Sequence, residues 1–423
     1  MNWRWYLFWL KDALSGGKVR KVYNELKKDE VCFNKENQAS KLNELLEYVK
    51  NNCEYYKNYE LNIKKFPVMN KQIIKDNFDS IISKNYNVDN LHKMSTSGST
   101  GTPFTVYQNS EKRNAVLAEV IYFGEKANFK FGEKELYSRI WVKQVQKSKL
   151  RKFLQNIVTF DISRLDDNSL SDLYDTLCNK KVKCMLSYAS TLKSFDVFLK
   201  NNDINNKSVL KSIISGSELL NEDVRKNLSH RFGCNVYSRY SNEENGILGQ
   251  DNGLEKTFLL NETNYYFEFL KLDSDEETSQ GELSRIVVTD LYNTAMPMIR
   301  YDTGDLCYYS IVDGKHYITE IQGRRGDLIY STNHIPLSLH VVTNNMWEIP
   351  NILQWKFVQL DEKRYKIILN VESNFSYENE KALDIKFKEI LGNDAILIFD
   401  YIDEIPVLNS GKRKYIENLY IRK

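Results

Sequence analysis

Val209-Leu210-Lys211-Ser212-Ile213-Ile214-Ser215-Gly216-Ser217-Glu218 decides the fold of this chain. Its apolar run has the length of a buried strand, and a glycine turn ends it. A helical pattern follows at 221–232, and Cys234-Asn235-Val236-Tyr237 then forms another short strand. Upstream, helical patterns at 168–179 and 190–201 flank a strand at 182–187, and Ser138-Arg139-Ile140-Trp141-Val142-Lys143 gives one more. Strands that alternate with helices build a parallel α/β sheet. Ligands of such sheets sit beyond the carboxyl ends of the strands. The segments after Ile214 and after Tyr237 are therefore the expected site positions.

Leu42, Leu45, Leu46 and Val49 lie at helical spacing, so 37–60 is expected to be an amphipathic helix. Phe66-Pro67-Val68-Met69-Asn70-Lys71 is a turn, with Asn70 as the cap of the next helix. A helix is expected around 111–127. From about 257 the pattern changes to β, with strands at Tyr265–Leu270, Gly281–Thr289 and Leu306–Tyr309. Beyond Gly323-Arg324-Arg325-Gly326-Asp327, strands at 353–359, 364–371 and 395–400 accompany a helix at 376–391. That is a small α+β unit. The expected organisation is a helical aromatic and basic segment at 1–34, a large α/β domain at 35–325 and a small domain at 326–423.

The 423 residues are 42% hydrophobic and 27% charged, the balance of a soluble globular protein. A net charge of +2 argues against a nucleic-acid partner. Cys32, Cys53, Cys178, Cys184, Cys234 and Cys307 are scattered, so neither zinc nor a disulfide framework is expected. The reading is of a cytoplasmic protein. Trp3, Trp5, Tyr6, Leu7, Phe8, Trp9 and Leu10 form an aromatic run beside Lys11, Lys18, Arg20 and Lys21. The run is too short to span a bilayer. Two readings stand: a helix docked on the protein's own core, which is favoured, or contact of residues 1–22 with the inner face of a membrane.

Six motifs carry chemistry. Ser95-Thr96-Ser97-Gly98-Ser99-Thr100-Gly101-Thr102-Pro103 offers backbone amides and hydroxyls without bulk, as a polyphosphate requires, or else it is a flexible linker. Ser215-Gly216-Ser217-Glu218-Leu219 is a turn that could lie against a purine, or an ordinary strand–helix turn. Tyr240-Ser241-Asn242-Glu243-Glu244-Asn245-Gly246 supplies an aromatic ring and carboxylates for a hard cation, or is a solvated acidic loop. Met298-Ile299-Arg300-Tyr301-Asp302-Thr303-Gly304-Asp305-Leu306 sets Asp305 after a glycine turn, able to accept from two ribose hydroxyls; a hairpin turn is the alternative. Gly323–Ile329 and Asn409-Ser410-Gly411-Lys412-Arg413-Lys414 are basic turns, at a domain boundary and near the C-terminus.

In this order and spacing the set resembles the adenylate-forming superfamily of acyl-CoA synthetases and adenylation domains. Within it the chain is most similar to the phenylacetate–CoA ligase type, in the branch found with capsule and surface-polysaccharide biosynthesis. The likeness covers roughly 35–420 and is strongest at Tyr301–Asp305 and Ser410–Arg413. It implies a large ATP- and substrate-binding domain and a small mobile lid. Ser97, Gly98, Ser99, Thr100 and Gly101 would hold the β- and γ-phosphates of ATP. Gly216, Ser217 and Glu218 would lie along the adenine, Tyr240 near the purine, and Asp305 on the ribose. Glu244 would hold Mg²⁺, Arg324 would stand by the ribose and phosphates, and Lys412 would bridge the carboxylate and the α-phosphate. The implied activity turns a carboxylic acid or amino acid and ATP into an acyl-adenylate, then passes the acyl group to CoA, a carrier protein or a sugar. An acyl-protein synthetase that feeds a partner cysteine, and a non-catalytic nucleotide-binding scaffold, are the alternatives.

The chain departs from that pattern in places. Thr102-Pro103-Phe104 lacks the lysine common there, and Ser241 and Glu243 replace a usual glycine and threonine. Gly326 stands at the usual hinge position, and the Cys/His zinc cluster of some relatives is missing.

Overall fold

The computed structural model describes residues 2–96, 104–139, 148–162, 165–204, 206–324, 329–337, 342, 345–346, 348–406 and 414–420. The chain divides into two compact units: Met1–Thr303 with Tyr308–Glu320, and Gly304–Cys307 with Ile321–Lys423.

The first unit opens with helices α1 (Trp3–Leu14), α2 (Lys18–Val31), α3 (Lys35–Asn52), α4 (Lys71–Asp76) and α5 (Phe78–Ile81). Strands β1 (His92–Thr96) and β2 (Phe104–Gln108) pair antiparallel, with Thr96 opposite Phe104, ahead of helix α6 (Ser110–Lys126). The alternating part follows: β3 (Glu135–Arg139), α7 (Lys149–Gln155), β4 (Ile157–Asp161), α8 (Asp167–Asn179), β5 (Cys184–Tyr188), α9 (Ala189–Asn201), β6 (Ser212–Gly216), α10 (Glu222–Phe232) and β7 (Asn235–Asn242). Then come β8 (Gly246–Gln250), β9 (Phe258–Leu260), β10 (Tyr265–Leu270), β11 (Ser284–Asp290), β12 (Tyr301–Val312) and β13 (Lys315–Arg324).

These last strands and β3–β9 form one eleven-stranded sheet, ordered β10-β11-β12-β13-β9-β8-β7-β6-β5-β3-β4. The stretch β4-β3-β5-β6-β7 is parallel throughout, as the alternating pattern predicts. β8 reverses the direction against β7.

Local chemistry accounts for the helices on the parallel part. The Asp166 side chain caps α8 by accepting from Ser169 N at 2.8 Å, and Leu170, Leu173 and Leu177 bury one face. Asn221 caps α10 through the amides of Asp223 and Val224, and Gly233 ends it at φ 63°. Their apolar faces meet Met185, Ile213 and Val236 in a continuous core.

Three expectations need correction. α3 stops at Asn52 rather than running to residue 60, because Cys53 turns extended and Tyr56 is fully buried, its hydroxyl donating to the Pro297 carbonyl at 3.0 Å. Tertiary burial overrides the helical periodicity there. β3 starts at Glu135, three residues before the expected Ser138, and residues 140–147 lie outside the described part. Asp305 does not follow a turn: Gly304 has φ 78°, but both residues lie inside β12.

The second unit holds β14 (Ile329–Tyr330), β15 (Pro336–Leu337), β16 (Ile352–Gln359), β17 (Arg364–Val371), helix α11 (Tyr377–Leu391), β18 (Ile396–Tyr401) and β19 (Ile416–Asn418). Its four-stranded sheet runs β18-β17-β16-β19. Ser376 and Asn379 form a capping box on α11, whose Leu383, Phe387 and Leu391 pack on Phe357 and Ile367. The expected small α+β unit is present, and the fold class is mixed α/β with a large multi-strand unit and a small second one.

Candidate active site

The parallel strands β5, β6 and β7 end near one another, since Tyr188 pairs with Gly216 and Gly216 with Arg239. This is where an α/β sheet receives its ligand. Gly216 closes β6, and a Cβ added to it would meet no described atom within 4 Å. Ser217 takes φ 69°, a left-handed conformation that a non-glycine residue seldom adopts. Glu218 is half-buried, and its Oε2 accepts from Ser190 N at 2.8 Å. That amide opens α9, whose own cap residue supplies no side-chain bond, so Glu218 ties the β6 turn to the start of α9.

Tyr240 lies in β7, is buried, and places its hydroxyl 3.5 Å from Thr303 Oγ1, which donates to the Ile286 carbonyl at 2.9 Å. The acidic segment after it is the connection from β7 to β8. It is no solvated loop at Glu244, which is 3% exposed. Glu244 Oε1 lies 2.6 Å from Lys71 Nζ and accepts from the Tyr301 hydroxyl at 3.0 Å. The Lys71 ammonium also stands 5.4 Å from the centroid of the Phe104 ring, which stacks on Tyr301 at 6.4 Å. Phe104 is the first described residue after the Ser/Gly segment. Three segments far apart in sequence therefore meet around one carboxylate.

Below Glu244 lies a buried ionic network. The Lys112 ammonium is 2.7 Å from Asp290 Oδ2, and both side chains are fully buried. It donates to the Tyr265 hydroxyl at 2.8 Å. That hydroxyl is 2.8 Å from Glu119 Oε1 and 2.9 Å from the Asn245 carbonyl, so one proton serves two acceptors. Glu119 Oε1 also accepts from Asn264 Nδ2 at 2.9 Å, and Oε2 accepts from Ile247 N at 3.0 Å. Burial pushes the Glu119 carboxyl and the Tyr265 phenol above their usual ranges, against the lowering effect of Lys112 and the hydrogen bonds on Glu119. Gly246 has φ 131°, and a Cβ there would come within 2.6 Å of Glu119 Oε2. The network thus grips Asn245, Gly246 and Ile247, the residues directly after Glu244.

Sequence reading missed this network, although it left a signal. Lys112 and Glu119 share the α6 face that buries Ala115 and Tyr122, so two charges interrupt an apolar stripe. Lys71 was missed as well. It stands first in α4, capped by Asn70 Oδ1 through the amides of Gln72 and Ile73. A cation at the positive end of a helix opposes the macrodipole, so its role is to be sought outside the helix.

Ser97, Gly98, Ser99, Thr100 and Gly101 lie outside the described residues, as do Lys412 and residues 325–328. Arg324 ends β13, and its side chain is also outside the described part. Asp305 is on β12, in the second unit. Among the described residues no group of three or more His, Cys, Asp or Glu could hold a metal ion. A lone carboxylate still fits Mg²⁺, which is commonly held by one or two carboxylates together with substrate phosphates.

Residues 329–419 match the CapK C-terminal domain. Protein CapK of Staphylococcus aureus is 25% identical over 431 residues, spanning 95% of this chain and 93% of that protein. Among solved structures, a 2-hydroxyisobutyryl-CoA ligase in the postadenylation state, bound to an acyl-AMP adduct, aligns at a TM-score of 0.72 and 13% identity, covering 92% of this chain and 90% of that one. ATP-bound MatB from Rhodopseudomonas palustris aligns at 0.58 and 14%, covering 78% and 68%. The chain has the fold of adenylate-forming CoA ligases.

Proposed function

We propose that this chain, built on the adenylate-forming ligase fold, activates a carboxylic acid with ATP and transfers the acyl group to a nucleophile. The observation that carries the proposal is the convergence on Glu244 of Tyr301 and Lys71, both of which also meet the Phe104 ring. Phe104 follows the Ser/Gly segment and Tyr301 begins the Tyr-Asp-Thr-Gly-Asp motif, so the order of motifs in sequence and their meeting in space support one site.

In the proposed reaction a substrate carboxylate oxygen attacks the α-phosphorus of ATP. The bond from that phosphorus to the bridging oxygen breaks, and pyrophosphate leaves with the electron pair. An acyl-adenylate remains. An acceptor then attacks the acyl carbon, and AMP leaves. CoA is the first acceptor to test; a carrier-protein thiol and a sugar or amine are the others.

The first step brings two anions together, so it needs positive charge at the developing transition state. In this proposal Lys412 supplies it between the carboxylate and the α-phosphate, with Arg324 near the ribose and phosphates. Ser97–Gly101 receive the β- and γ-phosphates, and Asp305 accepts from the ribose. Gly216, Ser217, Glu218 and Tyr240 form the adenine side. Glu244 is the proposed holder of Mg²⁺, which when bound neutralises phosphate charge. Lys71 is then the resident cation that keeps the buried Glu244 carboxylate compensated before nucleotide arrives. The branch resemblance further supports an acid or amino acid destined for a surface polysaccharide.

The test is acid-dependent ATP–pyrophosphate exchange across a panel of aliphatic, aromatic, hydroxy and amino acids. Exchange with at least one class is expected. No exchange with any acid, or full exchange in Lys412→Ala, overturns the mechanism, and nucleotide binding without exchange would favour the scaffold reading. A second expectation concerns the base. Gly216→Val fills the open space at the end of β6 and would exclude the purine from it. KM for ATP is therefore expected to rise about ten-fold or more, equivalent to about 1.4 kcal/mol of binding. The melting temperature should stay near that of the parent, because the added Cβ has no described atom within 4 Å. An unchanged KM would remove Gly216 from the adenine side.

A further inference from the structure

Helix α1 is apolar on two faces. Its inner face sends Trp9 into a core with Val19, Val22, Tyr23 and Leu26 of α2 and Ala115 and Ile121 of α6, flanked by Trp5 and Phe8. Its outer face carries Trp3, Tyr6, Leu7, Leu10 and Leu14 at i, i+3, i+4, i+7 and i+11, all exposed and reaching 82% at Leu14. The strip continues onto α7, where Trp3 meets Phe153 at 6.4 Å between ring centroids and Leu150, Phe153 and Leu154 are exposed. A contiguous apolar surface of this kind marks an interaction site.

The charges around the strip identify what it meets. Residues 1–24 hold five basic side chains, Arg4, Lys11, Lys18, Arg20 and Lys21, and a single acid, Asp12. Asp12 is buried, and its two oxygens accept from the α2 amides of Val19 and Arg20 at 3.0 Å each. Lys18 lies 3.7 Å from the exposed Glu111 of α6, so among the described residues the uncompensated charges along the strip are those of Arg4, Lys11, Arg20 and Lys21, and α7 adds Lys149 and Lys152. A symmetric contact with a second copy would set the same cationic surface against itself. An anionic lipid surface would complement it. Tryptophan and tyrosine beside lysine and arginine are suited to the headgroup level. α1 spans about 18 Å at 1.5 Å per residue, too short to cross a bilayer but long enough to lie along one. No helix among the described residues is long and apolar enough to cross a membrane.

We propose that α1, with the exposed side of α7, docks this protein in the plane of an anionic membrane surface. The inner-face aromatics anchor the helix to the protein, and the outer face enters the headgroup region. Both readings of the N-terminal run then hold, one for each face of the helix.

Flotation of the full-length protein with vesicles tests this without reference to any enzymatic activity. Phosphatidylcholine vesicles containing phosphatidylglycerol are expected to carry the protein, and phosphatidylcholine vesicles alone to carry far less. Leu7→Glu/Leu10→Glu should lower the bound fraction on anionic vesicles about ten-fold or more, with an unchanged melting temperature, since both positions are exposed. Lys11→Ala should weaken binding about five-fold, the effect of one cation near the surface. Absence of flotation on anionic vesicles, equal flotation on both compositions, or undiminished binding of the double variant would overturn the proposal. So would a dimer in the absence of vesicles that the double variant dissociates.

Discussion

Lys112→Met is expected to destabilise the large unit by about 3–5 kcal/mol, the effect of leaving a buried charge without its partner. The ammonium has no exposure, and neither does the Asp290 carboxylate 2.7 Å away. Methionine fills most of the same volume, so the cavity contribution is small and the loss is mainly electrostatic. Asp290 would keep only the amide of Tyr292 as a described hydrogen-bond donor, at 3.0 Å, and Tyr265 would lose the cation 2.8 Å from its hydroxyl. Denaturant unfolding of the full-length protein measures the effect. Adding Asp290→Asn to Lys112→Met should recover part of the loss, because the double variant no longer buries an unpaired carboxylate. A cost below about 1 kcal/mol would place the pair with exposed ion pairs and refute its role as a platform.

Glu244→Gln is expected to lower kcat/KM for ATP–pyrophosphate exchange about 10²–10³-fold, the range for removal of one group that stabilises transition-state charge. The amide keeps the shape and can still accept from Tyr301, but it cannot neutralise Lys71 or a bound cation. The half-saturating Mg²⁺ concentration should rise as well, a readout that a merely structural carboxylate would leave in place. Because the Lys71 side chain is 37% exposed, the lost pair should cost little stability, and the melting temperature serves as the control. Unchanged exchange with unchanged Mg²⁺ dependence would remove Glu244 from the metal role.

Much of the architecture is legible in the residues because it is local. The alternation of short apolar runs with capped amphipathic helices between 167 and 242 needs only periodicity and end signals, such as Asp166 before α8 and Asn221 and Gly233 around α10. The run of strands after residue 257 is legible for the same reason, whereas the reversal of direction already occurs between β7 and β8. α3 shows where this stops. Its periodicity continues into Tyr55 and Tyr56, and only the distant Pro297 carbonyl and the core around it turn the chain at Cys53. Asp305 shows the converse: Gly304 suggests a turn, but pairing within a long strand carries the chain straight through a positive φ.

At the candidate site, the order of the motifs and the resemblance it carries pointed to Glu244, Gly216–Glu218 and Tyr240, and the placement of Gly216 at a strand's carboxyl end follows from the parallel alternation. What surrounds Glu244 was not legible. Its ion-pair partner Lys71, its donor Tyr301 and its neighbour Phe104 lie in separate segments of the chain. Lys112 and Glu119 were hidden in the same way, because a helical pattern records that a face is buried and not which polar groups from β10 and β11 meet it. The strand–helix alternation and the caps were readable from the residues because they depend on neighbours within a few turns of chain, and the order of the motifs is a property of the chain itself. The burial of Glu244, its lysine partner and the charged network that fixes the residues beside it became visible in the folded chain alone. Burial and pairing of charge depend on segments that become neighbours only when the chain folds.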